Sequence, residues 1–482
     1  MKKWFAAATL AAATVLVSTP ALAEDEDTGT PGEEELSYKE KKDLLTETAL
    51  DHDIPPEILK AIAYEETGMR QFDEYGNTIR NENEDGGIGM MQVTLNEDDL
   101  ENRQVDRERL ERDTVYNIEI GAELLNEKWD WSGNIIPSVN DGDREILENW
   151  YFAVLAYNGL DRRNDPIENS STYQDDLYKT IAEANLLEFE SFELPEFEAE
   201  YRDDENRMRF ADEQLHLTTE QTTRSLQIFE EGDKVYSYSE DAGSTINFRE
   251  EPTTSSRILG DVFLYTPLSV EGQLEHDDNR DNHFGYYPFY YADIHGYMAS
   301  SYVRDGEVTA FSDVQRQELV EAVGFLEVRD IISGYPDGTF RPNEPILRRH
   351  AASMLSKALE LNVPDDYELK ATDIEEDDLG YKTMKTVEYH GLMTGSGEKI
   401  RPNENMTRAQ MASVLAAAFE DKLPEYSEDH EFEDIPSDFW NYDAINTLYQ
   451  SGLTNQDPYR PGEDVTRSQF ALFLQRAMLM EE

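Results

Sequence analysis

The chain has 482 residues, too many for one hydrophobic core, so several domains are expected. It contains no cysteine, which excludes disulfide staples, thiolate catalysis and cysteine-ligated metal. With 42 basic and 104 acidic residues the net charge is −62, which excludes nucleic acid and anionic membrane surfaces as partners.

In chain order, Lys2 and Lys3 precede an apolar run from Trp4 to Val17, and Ala21-Leu22-Ala23 then presents small residues before Glu24. This is the pattern of a cleaved secretory signal over residues 1–23. The run is too short for a permanent anchor and no later segment is apolar enough, so no membrane insertion is expected. An exported chain without cysteine fits a Gram-positive surface better than a eukaryotic secretory route. Residues 24–37 read as an acidic spacer. The acid is spread along the whole mature chain, as in a solvent-facing adaptation to salt or alkali. At about 1 M salt a Debye length of about 3 Å removes most of the self-repulsion.

Residues 38–184 read as an α-rich domain. Asp53-Ile54-Pro55-Pro56 predicts a helix start with an Asx cap and proline in the first turn, and Gly68 predicts its stop. Val115, Ile118, Ala122, Leu125 and Trp129 mark a second helix, and Trp150 to Tyr157 a third. Residues 185–230 are acidic and lack a regular apolar stripe, so they are expected to be a linker. From 231 to 305, Val235-Tyr236-Ser237-Tyr238 and the aromatic run Tyr286–Tyr291 predict short strands of a small β-barrel. Within it, the acidic loop His276–His283 lacks the pattern of a calcium loop and is expected to be solvated. Three repeats follow, at 310–360, 371–420 and 430–480. The pattern from Ile331 to Pro342 returns at Gly391–Pro402 and Gly452–Pro461, with Arg348, Arg408 and Arg467 spaced by close to sixty residues. The fold class is therefore multidomain α+β: an α-rich domain, a small β-barrel and a helical triplet.

One carboxylate stands out. Ile58, Ile62 and Glu66 are four residues apart, so Glu66 falls on the apolar face of its helix and Glu65 one step around, toward solvent. A carboxyl group among apolar side chains is expected to hold its proton at higher pH, as the general acid of glycosidic cleavage must. No second acid shows a comparably buried pattern, although Asp73 and Asp85 are close enough in sequence to reach a cleft.

Ala61-Ile62-Ala63-Tyr64-Glu65-Glu66-Thr67, Gly87-Ile88-Gly89-Met90-Met91-Gln92, Asn117-Ile118 with Gly121, and Ala156-Tyr157-Asn158-Gly159 together resemble the lysozyme-like soluble lytic transglycosylase family. The four motifs stand in the family's order across about 120 residues. Thr67 replaces the commoner Ser, and Gly159-Leu160-Asp161-Arg162 departs from the usual ending. The resemblance implies peptidoglycan glycan strands as substrate, Glu66 as the catalytic acid/base, and Thr67, Gln92, Tyr157 and Asn158 as substrate-binding residues. It implies cleavage between N-acetylmuramic acid and N-acetylglucosamine with a 1,6-anhydro product. A muramidase hydrolysing the same bond and a non-catalytic glycan-binding protein of the surface layer are the alternatives. Met90 and Met91 read as core. No cofactor and no metal are expected.

Ile246–Arg249 with Pro252–Ser256, and Gly296–Val303, resemble the opening and closing segments of a bacterial SH3-like domain. The C-terminal triplet resembles S-layer homology repeats, through Phe311-Ser312-Asp313-Val314, Thr372-Asp373-Ile374 and Phe432-Glu433-Asp434-Ile435. That resemblance implies grooves between repeats for an anionic secondary wall polymer, with Arg348, Arg408 and Arg467 at the recognition positions. It places the protein at the cell wall.

Overall fold

The computed structural model describes residues 35–81, 86–187, 197–201, 206–240, 245–423 and 430–480. The stretch expected as an export signal (1–23) and most of that expected as an acidic spacer (24–37) lie outside these residues.

The first unit is helical. α1 (Tyr38–Asp51) opens on a capping box in which Ser37 Oγ accepts the Glu40 N–H and the Glu40 carboxylate accepts from Ser37. α2 (Pro56–Thr67) starts with Pro56 in its first turn and stops at Gly68, left-handed at φ 65°. Asp53 does not supply the expected Asx cap: it lies at φ 53°, and Pro55 occupies the cap position. α3 (Glu97–Arg103) and α4 (Arg107–Arg112) lead into α5 (Thr114–Trp129), capped by Asp113. α6 (Tyr151–Asn158) and α7 (Tyr173–Asn185) complete the unit. Along α5, Ile118, Ala122 and Leu125 are buried as their spacing predicts, and Val115 is exposed.

α2 is the central helix. Every residue from Pro56 to Ala63 is buried, Glu57 and Lys60 included, so the helix has no solvent face there. Periodicity could not show this, because what covers its polar side comes from far along the chain. Residues 197–201 and 206–229, expected as linker, are part of that cover. Phe197, Met208 and Leu217 join the apolar core. A short strand β2 (His216–Leu217) pairs in parallel with β1 (Ser138–Val139). The Glu57 carboxylate accepts from Ser225 Oγ at 2.7 Å and from Leu226 N at 2.9 Å, and Glu148 accepts from Thr223 N at 2.6 Å. These two fully buried carboxylates correct the expectation that no acid besides Glu66 is buried. Their partners are backbone and hydroxyl donors of this covering segment, a strap over the helix, which offset the cost of burying a carboxylate.

The second unit is built on two antiparallel sheets. β3 (Lys234–Ser237) lies between β6 and β9, and β4 (Thr245–Arg249) between β5 and β8. The other strands are β5 (Ile258–Phe263), β6 (Pro267–Ser269), β7 (Tyr286–Tyr291), β8 (Ile294–Ala299) and β9 (Val303–Asp305), with β7 on the outer side of β8. Alternation places Val235, Ile246, Phe248, Val262, Tyr287, Phe289 and Met298 in a common core and leaves Tyr290 half-exposed.

The loop His276–His283 is solvated only at its tip: Asp278–Asp281 are exposed, while His276, Asp277 and His283 are buried. It is driven against α1 and α2, and two buried lysines enter it. Lys42 Nζ donates to Asp277 Oδ1, Asn279 O and Asn282 O at 2.8–2.9 Å. Lys60 Nζ meets Gln227 Oε1, His276 Nε2 and His283 O, and His276 Nδ1 faces Asp43 Oδ1 at 2.9 Å. Burial pushes Lys60 down to about 7, against the Glu57 charge that raises it, and burial with the Lys60 charge pushes His276 down to about 3. Unfolding returns both toward ordinary values, near 10.4 and 6.5. The unfolded chain then binds more protons than the folded one between about pH 3 and 6.5 through His276, and between about pH 7 and 10 through Lys60. Stability is therefore expected to rise with pH across both windows. The denaturant midpoint should climb from pH 7 to 9.5 in wild type and flatten in Lys60→Met.

The C-terminal unit has two helices per repeat: α8 (Gln317–Glu327) and α9 (Arg348–Ala358), α10 (Tyr381–Tyr389) and α11 (Arg408–Ala418), α12 (Tyr442–Gln450) and α13 (Arg467–Met478). The second helix of each repeat packs on the first helix of the next: α9 on α10, α11 on α12, and α13 back on α8. Three backbone bonds close a ring, Ile346 N to Val465 O, Met406 N to Ile346 O, and Val465 N to Met406 O, at 2.8–2.9 Å. Within the repeats, Asp313, Asp373 and Asp434 each accept two successive N–H groups, the second from Arg341, Arg401 and Arg460. These bonds hold the three arginines left-handed at φ 57°, 55° and 60°. The ring is joined to the sheets where Tyr265 packs over Gly324 and against Phe325, too closely for any side chain at 324.

Candidate active site

Glu66 lies in the last turn of α2 and is half-buried. Gly68 turns the chain away, with Gly68 N donating to Tyr64 O and Met69 N to Ala63 O. Thr67 is buried, and its hydroxyl donates to Met90 O at 3.1 Å, so it joins the helix end to the Gly87–Gln92 loop. Glu65 does not point freely to solvent: it is half-buried and accepts the Thr180 hydroxyl from α7. Asp73 is satisfied within its own turn by Tyr75 and Asn77, which hold its carboxyl below the usual range. Asp85 lies outside the described residues.

The loop is held by two amides. Gln71 accepts from Met90 N and donates to Leu110 O and Glu111 O, while Asn117 accepts from Met91 N and donates to Ile88 O and Leu110 O. Met90 and Met91 are fully buried. Gly89 takes φ 71°, and a Cβ there would run into both amides. A Cβ on Gly121 would lie 2.7 Å from Met91 Cβ, so Gly121→Ala should displace the loop and cost roughly 1–3 kcal/mol, read as a lower denaturant midpoint.

From this loop Gln92, at φ 45°, folds back to donate to Gly89 O at 2.7 Å. Tyr157 Oη donates to Met91 O at 2.8 Å. Burial, and then the Glu66 charge, push the Tyr157 phenol well above its ordinary value. The same two causes act on Tyr173, whose buried hydroxyl faces the Glu66 carboxyl from the start of α7. Tyr173 was not among the residues expected from sequence. It stands outside the four motifs, and only the fold of α7 across α2 brings it to Glu66.

Gln92, Tyr157 and Asn158 line one cleft of about 430 Å³. Tyr157 belongs both to this cleft and to the surroundings of Glu66. Thr67 lies instead in the joint behind the loop. Asn158 Oδ1 accepts from Asn164. The divergent stretch after it is where the strap docks, through Met208 N to Leu160 O and Arg162 N to Asn206 O.

Each of the three repeat arginines opens the second helix of its own repeat, and all three do the same structural work. Each Nε donates to a main-chain carbonyl of the next repeat: Arg348 to Ile400 O, Arg408 to Tyr459 O, and Arg467 to Phe340 O, at 2.7–2.9 Å. Arg348 and Arg408 are buried. Arg467 is partly exposed and lines a groove of about 210 Å³ with Tyr335, His350, Ser353 and Lys357.

Residues 43–179 match the family described as Transglycosylase SLT domain, and residues 310–352, 372–412 and 431–471 match the S-layer homology domain. Among relatives, an S-layer protein of Bacillus thuringiensis subsp. finitimus is 26% identical over 160 residues, 32% of this chain and 19% of that protein. S-layer protein EA1 of Bacillus anthracis is 30% identical over 170 residues, 34% of this chain and 20% of that protein. An uncharacterized cell wall amidase of Bacillus anthracis is 28% identical over 177 residues, 35% and 32% of the two chains. The match spans about a fifth of the length of these S-layer relatives. The chain thus carries a transglycosylase SLT domain and three S-layer homology repeats. The S-layer homology repeats and the S-layer relatives point to a cell-surface or cell-wall location. No helix among the described residues is long and apolar enough to cross a membrane.

Proposed function

We propose that this protein is a secreted, wall-anchored lytic transglycosylase in which Glu66 is the single acid/base. The observation that carries this reading is that two partly buried tyrosines, Tyr157 and Tyr173, face Glu66, the first of which also lines the cleft. Glu66 donates its proton to the oxygen linking N-acetylmuramic acid to N-acetylglucosamine as that bond breaks. The carboxylate then takes the proton of the muramoyl C6 hydroxyl, whose oxygen closes on C1 as a 1,6-anhydro ring. The acid ends protonated, as it began, and no water is consumed. Paired-carboxylate glycosidases use a second carboxylate, as the nucleophile or as the base that activates water. The nearby acids Glu65 and Asp73 are engaged elsewhere.

The anchor in this reading is the C-terminal ring. Arg467, His350 and Lys357 place cationic and polar groups in one groove of a strongly acidic chain, which suits an anionic secondary wall polymer. The sheet unit, in the SH3-like reading, contributes further contact with the wall.

Mass spectrometry of muropeptides released from purified Gram-positive walls tests the chemistry. 1,6-Anhydro products from wild type and none from Glu66→Gln support the reading. Reducing-end products would replace it with hydrolysis at the same acid. No release by either protein, with wall binding intact, would leave a non-catalytic surface-layer protein.

A further inference from the structure

We propose that the cleft selects glycan whose peptide stems carry free carboxylates, and that Lys128, oriented by Trp131, is the residue that reads them. The inference rests on the transglycosylase reading and goes beyond it by naming which form of the strand is preferred.

Cations are scarce in this chain, yet Arg103 and Lys128 both line the cleft that holds Gln92, Tyr157 and Asn158. Lys128 lies in the last turn of α5, and its ammonium sits 3.9 Å from the centre of the Trp131 ring. The ring's negative face fixes where the charge rests without supplying a hydrogen-bond acceptor of the carboxylate kind. The side chain is only 18% exposed. Its paired carboxylate is Glu127, at 3.7 Å, longer than a hydrogen bond. Glu127 is already held by the Arg103 guanidinium, so one carboxylate serves two cations. Arg207 adds a third positive charge close enough to be felt at Lys128, and Asp99 is the other acid lining the cleft. An ammonium so placed is a position for an incoming carboxylate, which would make the close bond that Glu127 does not.

The position of Lys128 fits a side branch better than the sugar backbone. The sugars are uncharged at the ring hydroxyls and acetamido groups, which the neutral side chains of Gln92 and Asn158 match. The stem peptide is where peptidoglycan carries its carboxylates. A helix C-terminus also favours a lysine for purely structural reasons, through the partial charge of its last carbonyls. That account predicts no dependence on substrate charge.

The experiment compares kcat/KM on soluble glycan fragments with native stems and on the same fragments after their carboxylates are converted to amides. Both carry the stem, so only charge differs. Wild type should prefer the native fragments by about tenfold at low salt, and the preference should shrink toward one near 1 M salt. Lys128→Met should bring the ratio close to one, and Lys128→Arg should keep most of it. A variant that merely unsettles the fold lowers both rates and leaves the ratio. The same pair of fragments is titrated by calorimetry into Glu66→Gln with and without Lys128→Met. A Lys128-dependent preference in binding, without turnover in wild type, would sustain this inference while sinking the transglycosylase reading. No preference in wild type, or a preference that Lys128→Met retains, would overturn it.

Discussion

Glu66→Gln is expected to lower the rate of muropeptide release by roughly 10²- to 10⁴-fold, the usual contribution of a positioned general acid. Glutamine has the same shape, and Tyr157 keeps its bond to Met91 O, so the surroundings of residue 66 should be preserved. What is lost is the proton that moves. The anchor lies elsewhere in the chain, so binding to walls should persist and serves as the control. Initial rates of release under equal wall loading check the outcome, and a variant that retains most of its activity would remove Glu66 from the mechanism.

Arg408→Met is expected to destabilise the C-terminal ring by roughly 3 kcal/mol, even with no wall polymer present. Arg408 is 3% exposed, and its guanidinium donates through Nε to Tyr459 O at 2.7 Å and lies 4.6 Å from the centre of the Tyr459 ring. Removing it leaves a carbonyl inside the protein without that donor and a gap beside an aromatic ring, two costs of about 1–3 kcal/mol each. Lysine should not restore stability, because its ammonium cannot place a donor at the Nε position while its stem covers the ring. Denaturant unfolding followed by the near-ultraviolet signal measures the change. Arg467 is the informative contrast. It makes the equivalent bond to Phe340 O but also lines an open groove, so its replacement should weaken wall binding beyond what lost stability explains.

Much of the helical framework was legible in local chemistry. Gly68 stops α2 because a left-handed turn needs a residue without a Cβ, and Pro56 starts it because the first turn needs no N–H. The repeats announced themselves by period, and their paired helices follow from it. The Asx cap did not form, because the chain enters α2 through Asp53 at positive φ and two prolines. The strap formed by residues 197–201 and 206–229 was invisible as structure for a different reason. Its few buried residues obey no helical or strand spacing, and its hydrogen bonds go to Glu57 and Glu148, up to 169 residues away.

The candidate site divides along the same line. Sequence by itself determined the local geometry of the helix end, where a left-handed glycine stops α2, and singled out the loop and the α6 terminus as motifs. Only the tertiary structure decided that Thr67 belongs to the joint and not the cleft, that Glu65 is taken by Thr180, and that Tyr173 faces Glu66. The same holds for the lysines that enter the His276–His283 loop and for the arginines that close the ring. In each case the deciding partner is distant in sequence and the interaction is a buried polar one. Such contacts leave no periodic trace in the chain, yet the cost of burying a charge or an amide without a partner makes them obligatory once the chain is folded.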